Sequence, residues 1–229
     1  MPTIAQIHDV LQAIYGERLQ LTGETEAALT AAEARLGYAL PKMLRDYYRL
    51  AAHSDWPNRC HNRLVRPDEL QVRNGALQFF EENQWVSLWG VAEEDMALPD
   101  PPVCAAWNND EPLAWETDDA SLSNFLIKMA YWQAVNGGLP NFGLGAAGEE
   151  ARQQVVAQWP LLLRDDGYQL GVYGGEGILI CLFDAAWSDQ IQVATQTPAQ
   201  LDRLEDCLEV EWDVLESEEP SDANDDEEE

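Results

Sequence analysis

The sequence predicts an α+β fold in which N-terminal helices pack on a largely antiparallel sheet and a C-terminal αβ extension follows. Apolar residues recur at helical spacing until about residue 52. From Leu64 to Thr117 they fall instead in short segments rich in β-branched and aromatic residues. In the last third, a glycine-rich turn joins two further strand patterns. Residues 1–215 are therefore expected to form a single domain.

Three helices are predicted in the N-terminal quarter. Thr3 and Gln6 form a capping box at the start of the first helix, and Gly16 ends it. The second helix ends at Gly37, where a residue without a Cβ atom can adopt the left-handed cap conformation. Pro41 starts the third helix, because the first turn does not use the N–H that proline lacks.

An antiparallel meander is predicted for the middle of the chain. One hairpin joins residues 76–80 to residues 85–91, and a second joins residues 103–107 to residues 113–115. A helix follows near Ser121, because the apolar residues after it repeat at intervals of three and four.

The last third, about residues 150–215, is predicted to be a compact αβ lobe. A capping box with proline at the first helical position and a final strand of strict alternation are its clearest signals. In order, the predicted elements are a helix over residues 149–159, strands over 168–173, 178–183 and 190–194, a helix capped by Thr197, and a strand that ends near Leu215.

The chain is strongly acidic, with 42 acidic and 13 basic side chains and a formal net charge of −29. Nine of the acidic residues lie in residues 216–229, which are predicted to be a disordered tail because no core-forming residue remains there. Without the tail, 33 acidic and 13 basic side chains still leave a net charge of −20. Such a body repels phosphates, so nucleic acids and anionic membranes are excluded as partners and a basic protein is favoured.

The cysteines are far apart, and no apolar leader precedes the first helix. Cys60, Cys104, Cys181 and Cys207 form no CxxC pair, which favours reduced thiols in a cytoplasmic protein. The longest apolar run, residues 178–183, is too short to span a bilayer. A cytoplasmic location without a transmembrane segment is therefore predicted.

Residues 143–148 match the GxGxxG pattern of dinucleotide-binding proteins. That motif should follow a buried strand, whereas a turn-forming stretch precedes it here. Glu149 and Glu150 would also place two negative charges where a pyrophosphate docks. A flexible loop is the preferred interpretation, and no cofactor is predicted.

Signals for catalysis or metal binding are weak. His53, Cys60 and His61 are clustered but lack the spacing of a zinc site. The chain contains no GxSxG nucleophile motif and only three histidines. No enzyme activity and no metal site are predicted, although distant residues could still meet in space.

Acidic residues fall on or beside the predicted hairpin connections, and we expect them to converge on one face. Tryptophans in the neighbouring turns are candidate anchors, because buried aromatic residues dominate many interfaces. The predicted partner-binding residues are Trp56, Glu81, Glu82, Glu93, Glu94, Asp95, Trp107, Asn108, Asp110, Glu111 and Trp115.

An ordered series of motifs runs through the first half of the chain. It consists of Glu33, Leu36-Gly37, Leu40-Pro41, Leu44 and Tyr47, then Leu64-x-x-Pro67-x-Glu69-Leu70, residues 85–90 with Asp95, Pro101-Pro102-Val103, and a helix near Ser121. Over about residues 24–130 this series resembles the SUKH superfamily, which includes yeast cell-wall regulators of the Smi/Knr type and bacterial immunity proteins.

The resemblance implies an immunity protein that binds a cognate toxin domain, a nuclease or another enzyme with a basic cleft, and blocks its active surface. The alternative it implies is a regulatory or scaffolding module with several weak partners. A third hypothesis is an unrecognised enzyme whose residues, such as His53 and His61, meet the acidic clusters in a deep pocket.

Overall fold

The computed structural model describes residues 1–217 and confirms the predicted α+β class. These residues form seven α-helices and two antiparallel sheets of six strands each. The helices are α1 (Ile4–Tyr15), α2 (Glu26–Leu36), α3 (Lys42–Ala51), α4 (Asp55–Arg59), α5 (Leu122–Gln133), α6 (Glu149–Gln158) and α7 (Pro198–Cys207).

The first sheet is a meander built from the middle of the chain. Its strands are β1 (Arg63–Leu64), β2 (Gln71–Arg73), β3 (Ala76–Glu81), β4 (Ser87–Ala92), β5 (Val103–Trp107) and β6 (Glu116–Asp119). They follow the order β1-β3-β4-β5-β6, with β2 also paired to β3. Strand β6 is therefore an edge strand.

The second sheet belongs to the C-terminal part. Its strands are β7 (Asn141–Ala147), β8 (Leu161–Asp165), β9 (Leu170–Gly175), β10 (Ile178–Phe183), β11 (Gln190–Thr195) and β12 (Val210–Ser217), in the order β12-β7-β11-β10-β9-β8. Glu216 and Ser217 thus belong to a strand, and the rest of the predicted tail lies outside the described residues.

Helix α5 is buried along most of its length, and the main core around it includes residues of both sheets. The ring of Phe125 contacts Phe79, Phe80 and Trp89 of the first sheet, with centroid distances of 5.4, 5.7 and 5.7 Å. The N-terminal part of the molecule and the C-terminal lobe therefore share one core, with α5 at its centre.

Strand β10 shows why the second sheet needs helices on its other face. Cys181 belongs to the main core, whereas Ile180 and Leu182 belong to a second core with residues of α6 and α7. Successive side chains of a strand point to opposite faces, so an entirely apolar strand must be covered on both sides. The compact αβ lobe follows from this requirement.

The predicted corner between α2 and α3 forms as expected. Gly37 caps α2 with a φ angle of 77°, in the left-handed region. The carboxylate of Glu33 then accepts hydrogen bonds from the backbone N–H of Leu40 at 3.1 Å and from Nε of Arg45 at 3.2 Å. Pro41 is the residue before the first turn of α3 rather than its first helical residue.

Residues 143–148 do not form the predicted flexible loop. Most of them lie in β7, between β11 and β12. A Cβ atom on Gly143 would lie 2.7 Å from Cγ2 of Val193, and one on Gly145 would lie 2.4 Å from the carbonyl oxygen of Glu211. The glycines therefore allow the neighbouring strands to pack closely. Their match to the dinucleotide-binding pattern is a coincidence of spacing.

Replacing Gly145 with alanine is expected to lower the free energy of unfolding by about 1–3 kcal/mol, because the added methyl group overlaps backbone of β12. Gly148→Ala is the matched control, since no atom lies within 4 Å of its added Cβ. Chemical denaturation measures both variants. Equal stabilities for the two would contradict this account of β7.

Three other sequence predictions were wrong in detail. Trp85 lies in the turn between β3 and β4, with a φ angle of 64°, instead of starting a strand. Residues 113–115 are not a strand, and the polar residues of β6 pair with β5 in their place. Three helices were predicted in the N-terminal quarter, and the structure adds the short helix α4 directly after them.

Strand β8 was not predicted at all. Within residues 1–217, no helix combines the length and apolar character required to cross a bilayer.

Candidate functional site

The predicted acidic face does not assemble as expected. Glu93, Glu94 and Asp95 form a turn after β4, and the hydroxyl of Tyr38 donates to Glu93. Glu82 and Asp110 lie in the turns at the other end of this strand. Six strand residues span roughly 20 Å, so the acidic clusters are held apart by the length of β4.

Two predicted site residues have structural roles. Glu81 is only 5% exposed, forms an ion pair with Arg63 and accepts a hydrogen bond from Nε2 of Gln78 at 3.0 Å. Trp115 is half-buried, and its Nε1 donates to the carbonyl oxygen of Arg73 at 2.8 Å. Neither side chain is exposed enough to serve as a main contact for a partner.

Glu82 and Asn108 organise the hairpin ends. The Glu82 carboxylate accepts from the backbone N–H of Gln84 at 3.0 Å and of Val86 at 3.1 Å. The Asn108 side chain donates to the carbonyl oxygen of Trp85 at 3.0 Å. These bonds fix the β3–β4 turn beside the end of β5.

Trp56 lies on α4, partly buried against the main core, and the guanidinium of Arg18 lies 4.7 Å from its ring centroid. Trp107, in contrast, is 62% exposed, and Asp110 and Glu111 follow it in an exposed loop. Of the predicted set, Trp107, Asp110 and Glu111 form an exposed group in this loop, and Glu93 and Glu94 are exposed at the opposite end of β4.

Trp107 and Asp110 lie at one end of a groove between the edge strands β6 and β8. The wider part of the groove has a volume of ≈ 680 Å³, and a smaller hollow of ≈ 250 Å³ continues past Tyr168 to Trp107. We call it the acidic groove and define it by Asp110, Glu116, Asp118, Asp119, Asp165 and Asp166, with Trp107 and Tyr168.

A buried ion cluster joins the two walls of the acidic groove. Nζ of Lys128, on α5, lies 3.2 Å from Asp118, 3.3 Å from Asp119 and 3.2 Å from Asp165. Burial favours the neutral amine, but the three carboxylates outweigh it and raise the pKa of Lys128 above its ordinary value. One ammonium among three carboxylates leaves a formal charge of −2.

The fold accounts for this convergence. Asp118 and Asp119 end β6, and one residue separates them from Ser121, whose side chain caps α5. Lys128 lies about two turns further along that helix, because an α-helix has 3.6 residues per turn. Asp165 ends β8 and accepts a hydrogen bond from the backbone N–H of Tyr168 at 3.0 Å.

Sequence reasoning missed most of the groove residues. Asp118-Asp119 and Asp165-Asp166 are recognisable acidic pairs, but β6 and β8 belong to different sheets. No local pattern indicates that two edge strands from separate sheets face each other. The tertiary packing around α5 decides it.

The cysteines are not activated nucleophiles. Burial raises the pKa of Cys60 to about 12, of Cys104 to about 11 and of Cys181 to about 12. At neutral pH these side chains are thiols, whereas nucleophilic catalysis needs thiolate. Among residues 1–217, no group of three or more histidine, cysteine or acidic side chains is arranged to hold a metal ion.

The chain has no match among known protein-family models, curated proteins or solved structures. The resemblance to the SUKH superfamily therefore stays a prediction from the motif series.

Proposed function

We propose that this protein is an immunity protein that binds a basic protein surface through the acidic groove and Trp107. In this proposal the partner is a cognate toxin domain, a nuclease or another enzyme with a basic cleft. Binding blocks the surface that the toxin uses for its own anionic substrate.

The observation that carries the proposal is the acidic groove beside an exposed tryptophan. Six carboxylates, from β6, from the end of β8 and from the neighbouring loops, line it. The cationic side chains that line it within residues 1–217 are Lys128 and Arg164, and both are already ion-paired with aspartates. The groove therefore has negative charge left for a cationic partner.

This arrangement combines the two features that a fast and tight inhibitor needs. The carboxylates attract a basic surface from a distance and raise the association rate. Trp107 offers a large aromatic contact, and tryptophans are prominent among the few interface residues that supply most of the binding energy.

The first test is a pull-down of the tagged protein from its native host, washed at low and then at high salt, followed by mass spectrometry. We expect one stoichiometric partner with a basic, enzyme-like domain, whose activity the purified protein inhibits. Many substoichiometric partners that are lost on washing would favour the regulatory or scaffolding alternative instead.

Replacing Trp107 with alanine is expected to weaken binding of that partner by about 2 kcal/mol, roughly 30-fold in Kd. Trp187→Ala is the matched control, because Trp187 is also 62% exposed but lies in the turn after β10, outside the acidic groove. Calorimetric titration measures both affinities. Equal losses for the two variants would refute the assignment of Trp107 as the anchor.

A further inference from the structure

A second cavity, of ≈ 190 Å³, adjoins the acidic groove and lies between α5 and the two sheets. Its walls are mainly apolar, with Trp89 from β4, Met129 from α5, and Leu163, Val172 and Cys181 from the second sheet. An engineered apolar cavity of about 150 Å³ is large enough to bind benzene. This cavity can therefore hold one aromatic ring.

The cavity is closed on the inside and reaches the surface at a polar rim. Val172 and Cys181 are fully buried, at 3% and 0% exposed. Ser87 and Trp132 are half-buried, and Tyr168 is 43% exposed. A small molecule can thus enter beside Tyr168 and bury its apolar part.

The rim is negatively charged. Lys128 and Asp165 line the cavity as well as the acidic groove, so the ion cluster with its formal charge of −2 lies at the rim. Glu82 is a further acidic lining residue. Charges at such a partly buried position interact more strongly than they do in open water.

One wall of the cavity also contains a buried hydrogen-bond donor without an acceptor in the described part of the chain. Trp89 is 4% exposed, and its indole Nε1–H has no hydrogen-bond partner within the described residues. A buried donor without a partner costs free energy, so this wall is not optimised for stability alone.

We propose that this cavity binds a small amphipathic amine, with an aromatic ring between Trp89, Met129 and Val172 and the ammonium group at the rim beside Asp165. The apolar walls contact the ring, and the negative charge that Lys128 does not neutralise attracts the ammonium group. The proposal does not depend on the proposed immunity function, because it concerns a free small molecule and needs no protein partner.

The test uses three probes of one shape on the full chain: phenethylamine as the cation, 2-phenylethanol as the neutral analogue and 3-phenylpropionate as the anion. Phenethylamine is expected to bind with a Kd of about 1 mM or below. It should bind about tenfold more tightly than 2-phenylethanol, and 3-phenylpropionate should bind most weakly. Calorimetric titration measures the series.

Methyl NMR locates the binding site. The chain has four methionines, and Met129 is the one that lines the cavity. With 13C-labelled methionine methyl groups, phenethylamine is expected to shift the Met129 signal while those of Met43 and Met96 stay in place. Equal affinities for the three probes, no saturation at about 10 mM, or no shift at Met129 would each overturn the proposal.

Two variants sharpen the test. Asp165→Asn is expected to weaken phenethylamine binding several-fold and to leave 2-phenylethanol binding unchanged, because it removes charge but keeps shape. Asp213→Asn is the matched control, since Asp213 is exposed on β12, away from the cavity lining. Because the probe series on the unaltered chain needs no variant, a folding defect in Asp165→Asn leaves the proposal falsifiable.

Discussion

Replacing Lys128 with methionine is expected to lower the free energy of unfolding by about 3–5 kcal/mol, because the change leaves Asp118, Asp119 and Asp165 buried together without a counter-ion. These side chains are 12%, 15% and 10% exposed, so water screens their mutual repulsion poorly. Methionine keeps most of the length of lysine, so the lost charge dominates the effect.

The chain offers a matched control, because it contains two lysines. Lys42 also pairs with an aspartate, Asp46, but its side chain is 73% exposed. Lys42→Met is expected to change the stability little, since exposed ion pairs contribute little. Guanidinium denaturation of both variants measures the difference, and a loss below about 1 kcal/mol for Lys128→Met would contradict the structural role of the cluster.

A second substitution separates charge from packing. Adding Asp165→Asn to Lys128→Met removes one of the three repelling carboxylates, so part of the lost stability is expected to return. If the two changes are additive instead, the loss in Lys128→Met comes from packing in the cavity wall, because independent sites do not couple.

The stability of the protein is expected to fall steeply above about pH 10. Three tyrosines of the N-terminal helices contribute up to about 4 kcal/mol per pH unit to this fall. Burial raises the pKa of Tyr15, Tyr47 and Tyr48 well above the ordinary value of 10.0. Each hydroxyl also donates a hydrogen bond inside the fold, to Trp56, Asn58 and Val65 respectively.

The sign follows from proton linkage. Above pH 10 the unfolded chain loses tyrosine protons that the folded chain keeps, so the unfolded state is favoured. Each such proton contributes about 1.4 kcal/mol per pH unit, and the effect is absent well below pH 10. The buried thiols, whose pKa values are also raised by burial, act in the same direction from about pH 9.

Denaturation at pH 8, 10 and 11 tests this prediction, with Tyr47→Phe as the diagnostic variant. Phenylalanine cannot ionise, so the slope above pH 10 should be smaller by about 1.4 kcal/mol per pH unit. Tyr173→Phe is the control, because Tyr173 is a half-buried residue of β9 and does not belong to this group of fully buried tyrosines. A slope unchanged by Tyr47→Phe would show that this residue does not titrate as the structure implies.

The sequence predicted elements well wherever local chemistry decides the structure. The capping boxes at Thr3 and Thr197 are present, and the glycine turn between β9 and β10 forms as expected. These signals depend on hydrogen bonds and φ angles within a few residues, so they can be recognised without knowledge of the fold.

Local sequence patterns gave the wrong secondary structure where contacts with residues distant in sequence decide it. The glycines of β7 look like a loop but form a strand, because β11 and β12 approach them too closely for side chains. The polar residues of β6 look like a helix-capping stretch, yet pairing with β5 makes them a strand. In both cases the partner is far away in sequence, and only the tertiary structure identifies it.

The sequence by itself determined the fold class, most helices, the C-terminal lobe and the acidic character on which the proposed function depends. The tertiary structure alone decided which carboxylates act together. The length of β4 separates Glu93 from Asp110, whereas packing around α5 brings Asp118 to Asp165 across two sheets. A charge pattern lists the acidic residues of a chain, but a binding surface depends on distances in space that the pattern does not contain.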